Sequence, residues 1–241
     1  MDSVPSFPSG VKVEYIKQVL KKNLEEVMEE IHETCVSCGR DPEGVSVMAV
    51  TKTHPAEYMR AAIECGIRHI GENRITEGSR KIREIGRERA IFHAIGVLHR
   101  SEVRQAVRDF HRLDAVDSIR IMEEIARRGA ATEILLEVNT SGEDAKKGFK
   151  PDLSLLCDVL GRGLELGLSI RGLLTIGPLN ADENSTRAAF ALLRKIRNTL
   201  RENLGEELPD LSMGMSDDFA LAVAEGSTMV RLGRRLFGPR G

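Results

Sequence analysis

Eight short apolar runs recur along the chain, and their alternation with helical patterns limits the fold more than any other feature. The runs are GVSVMAVTK, IRHIG, IFHAIG, RLDAVDS, TEILLEVN, SIRGLLTI, LPDLSM and TMVRLG, closing near Lys52, Gly71, Gly96, Ser118, Asn139, Ile176, Met213 and Gly233. Between them apolar residues fall three or four apart, as in Leu153, Leu156, Leu160, Leu164 and again in Phe190, Leu193, Ile196, Leu200, Leu204. Strands alternating with helices imply a parallel sheet covered by helices. Eight such units in 241 residues predict an α/β fold, the (β/α)8 TIM-type barrel. A doubly wound open sheet gives the same alternation, but no G-x-G-x-x-G opens a helix after the first strand.

Ahead of the first strand, Val13, Ile16, Leu20, Leu24, Val27, Ile31 and Cys35 form the stripe of an extra N-terminal helix. Only eight residues follow Gly233, too few for a full eighth helix, so the N-terminal helix is expected to cover that gap. No linker or shift of composition divides the chain. One domain is expected over residues 11–241, after a flexible arm over residues 1–10.

The formal net charge is -2, which marks no strong field for nucleic acid or an acidic membrane. The opening MDSVPSFPSG lacks the cationic start and apolar stretch of a secretory signal, and no apolar run reaches membrane-span length. These features predict a cytoplasmic protein. Cys35 and Cys38 have metal-like spacing, but no second pair accompanies them, and Cys35 continues the helix stripe.

In a parallel barrel the active site gathers at the C-terminal strand ends. Lys52 closes the first strand, Glu72 and Asn73 follow the second, His93 lies in the third, and Arg231 is on the eighth. A lysine held between aliphatic walls loses solvation of its ammonium form, which frees amine for attack on carbonyls, the setting for a Schiff base. The other reading of Lys52 is a packed stem whose head reaches solvent or pairs with Glu72.

Ser212, Met213, Met215 and Ser216, in SMGMSDD, offer small residues and free N–H groups before a helix. Gly233 and Arg234, in RLGRR, offer close backbone approach and positive charge, and barrels often bind phosphate with the loops after strands seven and eight. Closure of the barrel sets these loops beside Lys52. An aldehyde-reactive lysine near a phosphate cradle suits pyridoxal phosphate, and Arg231 facing the pyridine nitrogen would keep it unprotonated. His93 is either a contact for that ligand or a satisfied core residue, and Arg231 is alternatively a salt-bridge partner for a neighbouring acid.

The stretches AVTKT, GENRITEG, FHAIGVL, VNTSGEDAKKGF, RGLLTIGP, LSMGMSDD, AEGSTMVRLG and LFGPRG resemble those of the YggS/PROSC family, the pyridoxal phosphate homeostasis proteins. The resemblance implies a type III pyridoxal-phosphate fold like the N-terminal domain of alanine racemase, lacking the C-terminal β domain. It also implies that Lys52 is the Schiff-base lysine, Asn73 the ring-side asparagine and Arg231 the arginine at the pyridine nitrogen, with Ser212, Ser216 and Gly233 in the phosphate segments. Three positions depart from the family. Arg234 replaces a small hydroxyl residue, Phe92 a tryptophan, and IGVLHRSE over residues 95–102 replaces IGxLQxNK.

The resulting expectation is a monomer that holds and supplies pyridoxal 5′-phosphate, possible protein partners being apo-enzymes that need it, with no established catalytic activity. The alternative is an amino-acid racemase or decarboxylase of the same chemistry, although Tyr15 and Tyr58 lie away from strand ends and no second acid/base stands out. A remoter alternative is an aldolase in which Lys52 attacks a sugar phosphate.

Overall fold

The structure, a computed structural model, describes residues 9–129, 132–143 and 145–238. Helix α1 (Ser9–Ser37) leads into β1 (Ser46–Val50), α2 (Ala56–Glu64), β2 (His69–Glu72), α3 (Ile75–Ile85), β3 (Ile91–Ala94) and α4 (Val103–Asp109). Then come β4 (Arg112–Val116), α5 (Ile119–Arg127), β5 (Glu133–Glu137), α6 (Leu153–Glu165), β6 (Ser169–Leu174) and α7 (Glu183–Leu204). The chain finishes with β7 (Asp210–Ser212), α8 (Phe219–Ala224), β8 (Met229–Leu232) and α9 (Arg234–Phe237). The expected arm lies outside the described residues except for Ser9 and Gly10, which begin α1.

The strands pair in parallel and in sequence order, and β8 closes on β1 with Met48 opposite Arg231 and Ala49 opposite Leu232. The barrel is therefore the eight-stranded one that the alternation predicts. Successive side chains of a strand point to opposite faces, and the two faces here pack differently. Ala49, Phe92, Leu211, Val230 and Leu232 join the large core between sheet and helices, whereas Met48, Val50 and Met229 form a small separate cluster with Ile95 inside the barrel.

Helix α1 packs against α2, α8 and α9 and so completes the helical layer. Leu20, Val27, Ile31 and Cys35 are fully buried, each large apolar chain contributing about 1.5–3 kcal/mol on burial. Asn23 Nδ2 donates to the Leu236 oxygen over 2.8 Å and Glu30 pairs with Arg235, so α1 also anchors α9. Asp152 and Asp182 cap α6 and α7, accepting from the N–H groups of Leu155 and Ser185. Among the described residues no helix is long and apolar enough to cross a membrane.

Candidate binding site at the barrel mouth

A cavity of about 330 Å³ opens at the C-terminal strand ends, and Lys52, Arg231 and Gly233 are on its wall. Lys52 arrives there by parity. Met48 and Val50 face the barrel interior, and Lys52, two residues further on, projects over the mouth while Thr51 turns toward α3.

The residues on both sides of Lys52 are tied to one buried charge cluster. Lys81, on α3 and almost without solvent contact, donates from Nζ to the Thr51 oxygen over 3.0 Å, and also to Glu72 Oε1 at 2.8 Å and Glu77 Oε1 at 2.7 Å. The Thr51 hydroxyl donates to the same Glu72 oxygen over 2.6 Å. On the other side, the Thr53 N–H donates to Glu77 Oε1 over 3.1 Å. Thr53 has φ 67°, a left-handed conformation that a β-branched residue keeps only when its surroundings hold it. Burial pushes the Glu72 carboxyl above its ordinary value against the pull of Lys81. Burial also opposes ionisation of Glu77, but Lys81 and the Thr53 N–H together hold it below its usual range. Glu72 is thus engaged by Lys81 and Thr51.

Arg231 is buried at 5 % exposure, its Nη1 donating to Ser212 Oγ at 2.9 Å and its Nη2 to the Thr175 oxygen at 2.8 Å. Among the described residues no carboxylate lies in ion-pair reach of it, so the salt-bridge reading of Arg231 does not hold. Burial lowers its pKa, opposed by the field of Asp114, Asp218 and Glu137, and a guanidinium remains protonated under such conditions. Glu137, buried on the cavity wall, is raised by burial and by Asp117, with Arg231 acting against them.

The loops after β7 and β8 meet beside Lys52. Asp218 Oδ1 accepts from the Met215 N–H at 2.6 Å, and Gly214 has φ 93°, a turn that suits only glycine where Ala222 and Phe219 stand within 3.0 Å of any Cβ. Ser216 Oγ accepts the Arg235 N–H at 3.2 Å, which joins this loop to the start of α9. The first N–H groups of a helix have no intrahelical acceptor, and those of Gly233 and Arg234 open α9 at the cavity. The exposed Arg234 side chain pairs with Asp217 at the rim.

Asn73, after β2, reaches the wall because Gly96 lets it. A Cβ on Gly96 would stand 2.2 Å from the Asn73 oxygen, so the loops after β2 and β3 touch backbone to backbone.

Three of the expected ligand contacts are not on the wall. His93 faces the barrel interior below it, with Nδ1 2.8 Å from Asp114 Oδ2 and Nε2 2.9 Å from His69 Nδ1, both ring nitrogens occupied. It occupies the place of a satisfied core histidine. Ser212 is buried under Arg231, one layer too deep, and Met213 faces the helical layer, where it joins the outer core. Glu137 and Lys81 do not stand out in the sequence as site residues. A carboxylate at the end of the apolar EILLE was a readable signal for the first, and glutamates at positions 72 and 77 for the second.

The loop after β5 is stitched to the loop after β6: Lys146 Nζ donates to Glu143 Oε1 and to the Gly177 oxygen, each at 2.7 Å, and Glu143 accepts from the Leu179 N–H at 3.0 Å. The Asn139 side chain donates to the Glu143 oxygen at 2.8 Å and so closes the segment on itself.

A closed parallel barrel with a lysine at its mouth, beside the loops that follow β7 and β8, defines a class that comparison identifies. Residues 20–241 match the family described as alanine racemase, N-terminal domain. Curated relatives named pyridoxal phosphate homeostasis protein include one from Pseudomonas aeruginosa, 37% identical over 226 residues, covering 92% of this chain and 96% of the relative. One from Escherichia coli is 34% identical over 228 residues, covering 90% and 95%. The structure of PipY from Synechococcus elongatus with PLP bound aligns at TM-score 0.73 and 34% identity, over 86% of this chain and all of that one. Alanine racemase from Streptomyces coelicolor aligns at TM-score 0.72 but 18% identity, over 93% of this chain and 59% of the racemase, a likeness of fold alone. The chain belongs to the alanine racemase N-terminal domain family and, within it, to the pyridoxal phosphate homeostasis proteins.

Proposed function

We propose that the barrel mouth binds pyridoxal 5′-phosphate and that the protein holds and supplies this cofactor inside the cell. The observation that carries the reading is the convergence, on one cavity of about 330 Å³, of Lys52, Arg231 and the loops after β7 and β8. The residues fit the group. The volume lies in the range of small-molecule sites, roughly 300–1,000 Å³. The N–H groups that open α9 and the Ser216 hydroxyl suit a phosphate, Lys52 suits an aldehyde, and a fixed cation suits a ring nitrogen without its proton.

When bound, pyridoxal phosphate supplies an aldehyde that condenses with amines and a ring able to accept electrons. Lys52 would retain the aldehyde end covalently, and the Thr51 and Thr53 anchors keep its backbone from shifting as cofactor enters or leaves. Gly233, Arg234, Met215 and Ser216 would hold the phosphate end, and Asn73 one side of the ring. Arg231, oriented by Ser212 and Thr175, would face the ring nitrogen with a fixed positive charge and so disfavour its protonation, which would favour storage over turnover. His93 is left out of the set, and Ser212 acts through Arg231.

The supporting relatives are the pyridoxal phosphate homeostasis proteins and the PipY structure with PLP bound. A cytoplasmic monomer that delivers to apo-enzymes completes the proposal. Its test is an absorbance titration with pyridoxal phosphate: the wild type develops a saturable visible band, and Lys52→Ala does not. No band in the wild type would overturn it.

One observation favours the second reading, turnover of an amino acid: Glu137 places a carboxyl group of raised pKa on the cavity wall. Amino-acid racemisation abolished by Glu137→Gln would establish that reading.

A further inference from the structure

We propose that the face of the barrel opposite the mouth carries a second site, for a small molecule bearing phosphate groups. A recess of about 880 Å³ lies there, at the starts of β3, β4 and β5, and its wall holds five guanidinium groups, those of Arg87, Arg104, Arg108, Arg112 and Arg128, together with His111. The one carboxylate on that wall is Glu133. In a chain of formal net charge -2, so many cations around one recess are a local device and not the outcome of a basic surface.

The partners of these arginines divide them into two kinds. Arg108 and Arg128 are held by Asp109 and Glu124, and Arg112 by Asp210 at 2.7 Å, carboxylates that fix their direction. Arg87 finds only the Phe110 oxygen, at 3.2 Å, and Arg104 makes no hydrogen bond or ion pair with a described residue. Two solvent-facing charges on the wall therefore have no carboxylate partner among the described residues. Arg112, 6 % exposed, is held further by Asp114 and Glu133, whose carboxylates stand 3.6 and 3.7 Å from its Nε, so it forms the charged floor of the recess and not its free cation.

His111 adds a directed donor. Its Nδ1 accepts the Phe92 N–H at 3.1 Å, so the proton of the neutral ring is on Nε2. Burial, then Arg87 and His93, lower its pKa, which keeps the ring neutral and donating. Guanidinium forks match the paired oxygens of phosphate better than single-point charges do. Ile91, 37 % exposed, and Val107 supply an apolar strip on the same wall, suited to the organic part of the ligand. A recess of this volume takes a small molecule, and the site shares no residue with the mouth.

The test is calorimetric titration of the full chain with pyrophosphate and with ADP, followed by hydrogen exchange of the complex. Saturable binding at about 0.15 M salt is expected. Affinity should fall at least about tenfold in the double variant Arg87→Ala, Arg104→Ala, whose side chains are exposed, and stay unchanged in Lys52→Ala. Protection should appear at residues 87–112. Unchanged affinity in the double variant, or protection confined to residues 212–235, would overturn the proposal and assign the ions to the mouth. Sedimentation with anionic phospholipid vesicles that the double variant loses, without binding of pyrophosphate or ADP, would overturn it in favour of a membrane surface.

Discussion

Lys81 Nζ donates to the main-chain oxygen of Thr51 across 3.0 Å, so a buried charge on α3 fixes the strand end from which Lys52 projects. Removing a partner from a buried ion cluster leaves the remaining charge without compensation. Lys81→Met should lower unfolding free energy by about 3 kcal/mol. Glu77→Gln, nearer the surface and still able to accept from Thr53, should lower it by less than about 1.5 kcal/mol. Urea denaturation of the two variants measures both. Equal losses would show that the cluster does not act through Lys81.

Gly96→Ala drives a Cβ to within 2.2 Å of the Asn73 oxygen, a backbone atom that cannot rotate away. A loss of about 1–3 kcal/mol is expected, with weaker capture of pyridoxal phosphate because Asn73 is displaced from the wall. Denaturation and absorbance titration of one sample give both numbers. Full affinity in this variant would show that the mouth tolerates movement of Asn73.

Arg231→Met leaves the Thr175 oxygen and the Ser212 hydroxyl without their buried donor. The expected cost is about 3 kcal/mol, and Arg231→Lys, which keeps the charge but not the fork, should fall between that variant and the wild type. Cofactor absorbance should shift in Arg231→Met more than in Arg231→Lys, because charge at the ring nitrogen differs. Identical spectra would place Arg231 away from the ring.

His69 supplies a pH dependence of stability. Burial, then the neighbouring His93 and Arg112, lower its pKa from the ordinary 6.5 to about 4, with Asp114 and Asp210 pulling the other way. The unfolded chain binds the proton first as pH falls, so the contribution of the neutral ring is complete above about pH 6.5 and is lost toward pH 4. With allowance for its remaining solvent contact, about 2 kcal/mol is at stake. His69→Gln should flatten that part of the pH profile of the urea midpoint. A variant profile parallel to the wild type would remove His69 as its source.

The barrel was legible because each strand is a short apolar run with a polar stop, and the stripe from Val13 to Cys35 placed α1 where a barrel helix was missing. The loops carrying Lys52, Asn73, Ser216 and Gly233 were legible for the same reason, since strand ends are where a parallel barrel places chemistry. Depth was not legible. Ser212 and Ser216 look alike in SMGMSDD, yet one is sealed beneath Arg231 and the other reaches the cavity. Met213 and Met215 separate because the first still obeys the strand's alternation into the helical layer and the second follows the turn at Gly214. Lys81 reads as one more cation in GSRKIREIG, and only the packing of α3 on β2 shows that its head meets Glu72.

The most direct measurement is to load the protein with pyridoxal phosphate, reduce it with borohydride and map the fixed label by peptide mass analysis. One label per chain, on Lys52, and no corresponding label in Lys52→Ala, is the predicted result. A label spread over surface lysines, equal in amount in wild type and Lys52→Ala, would contradict the account.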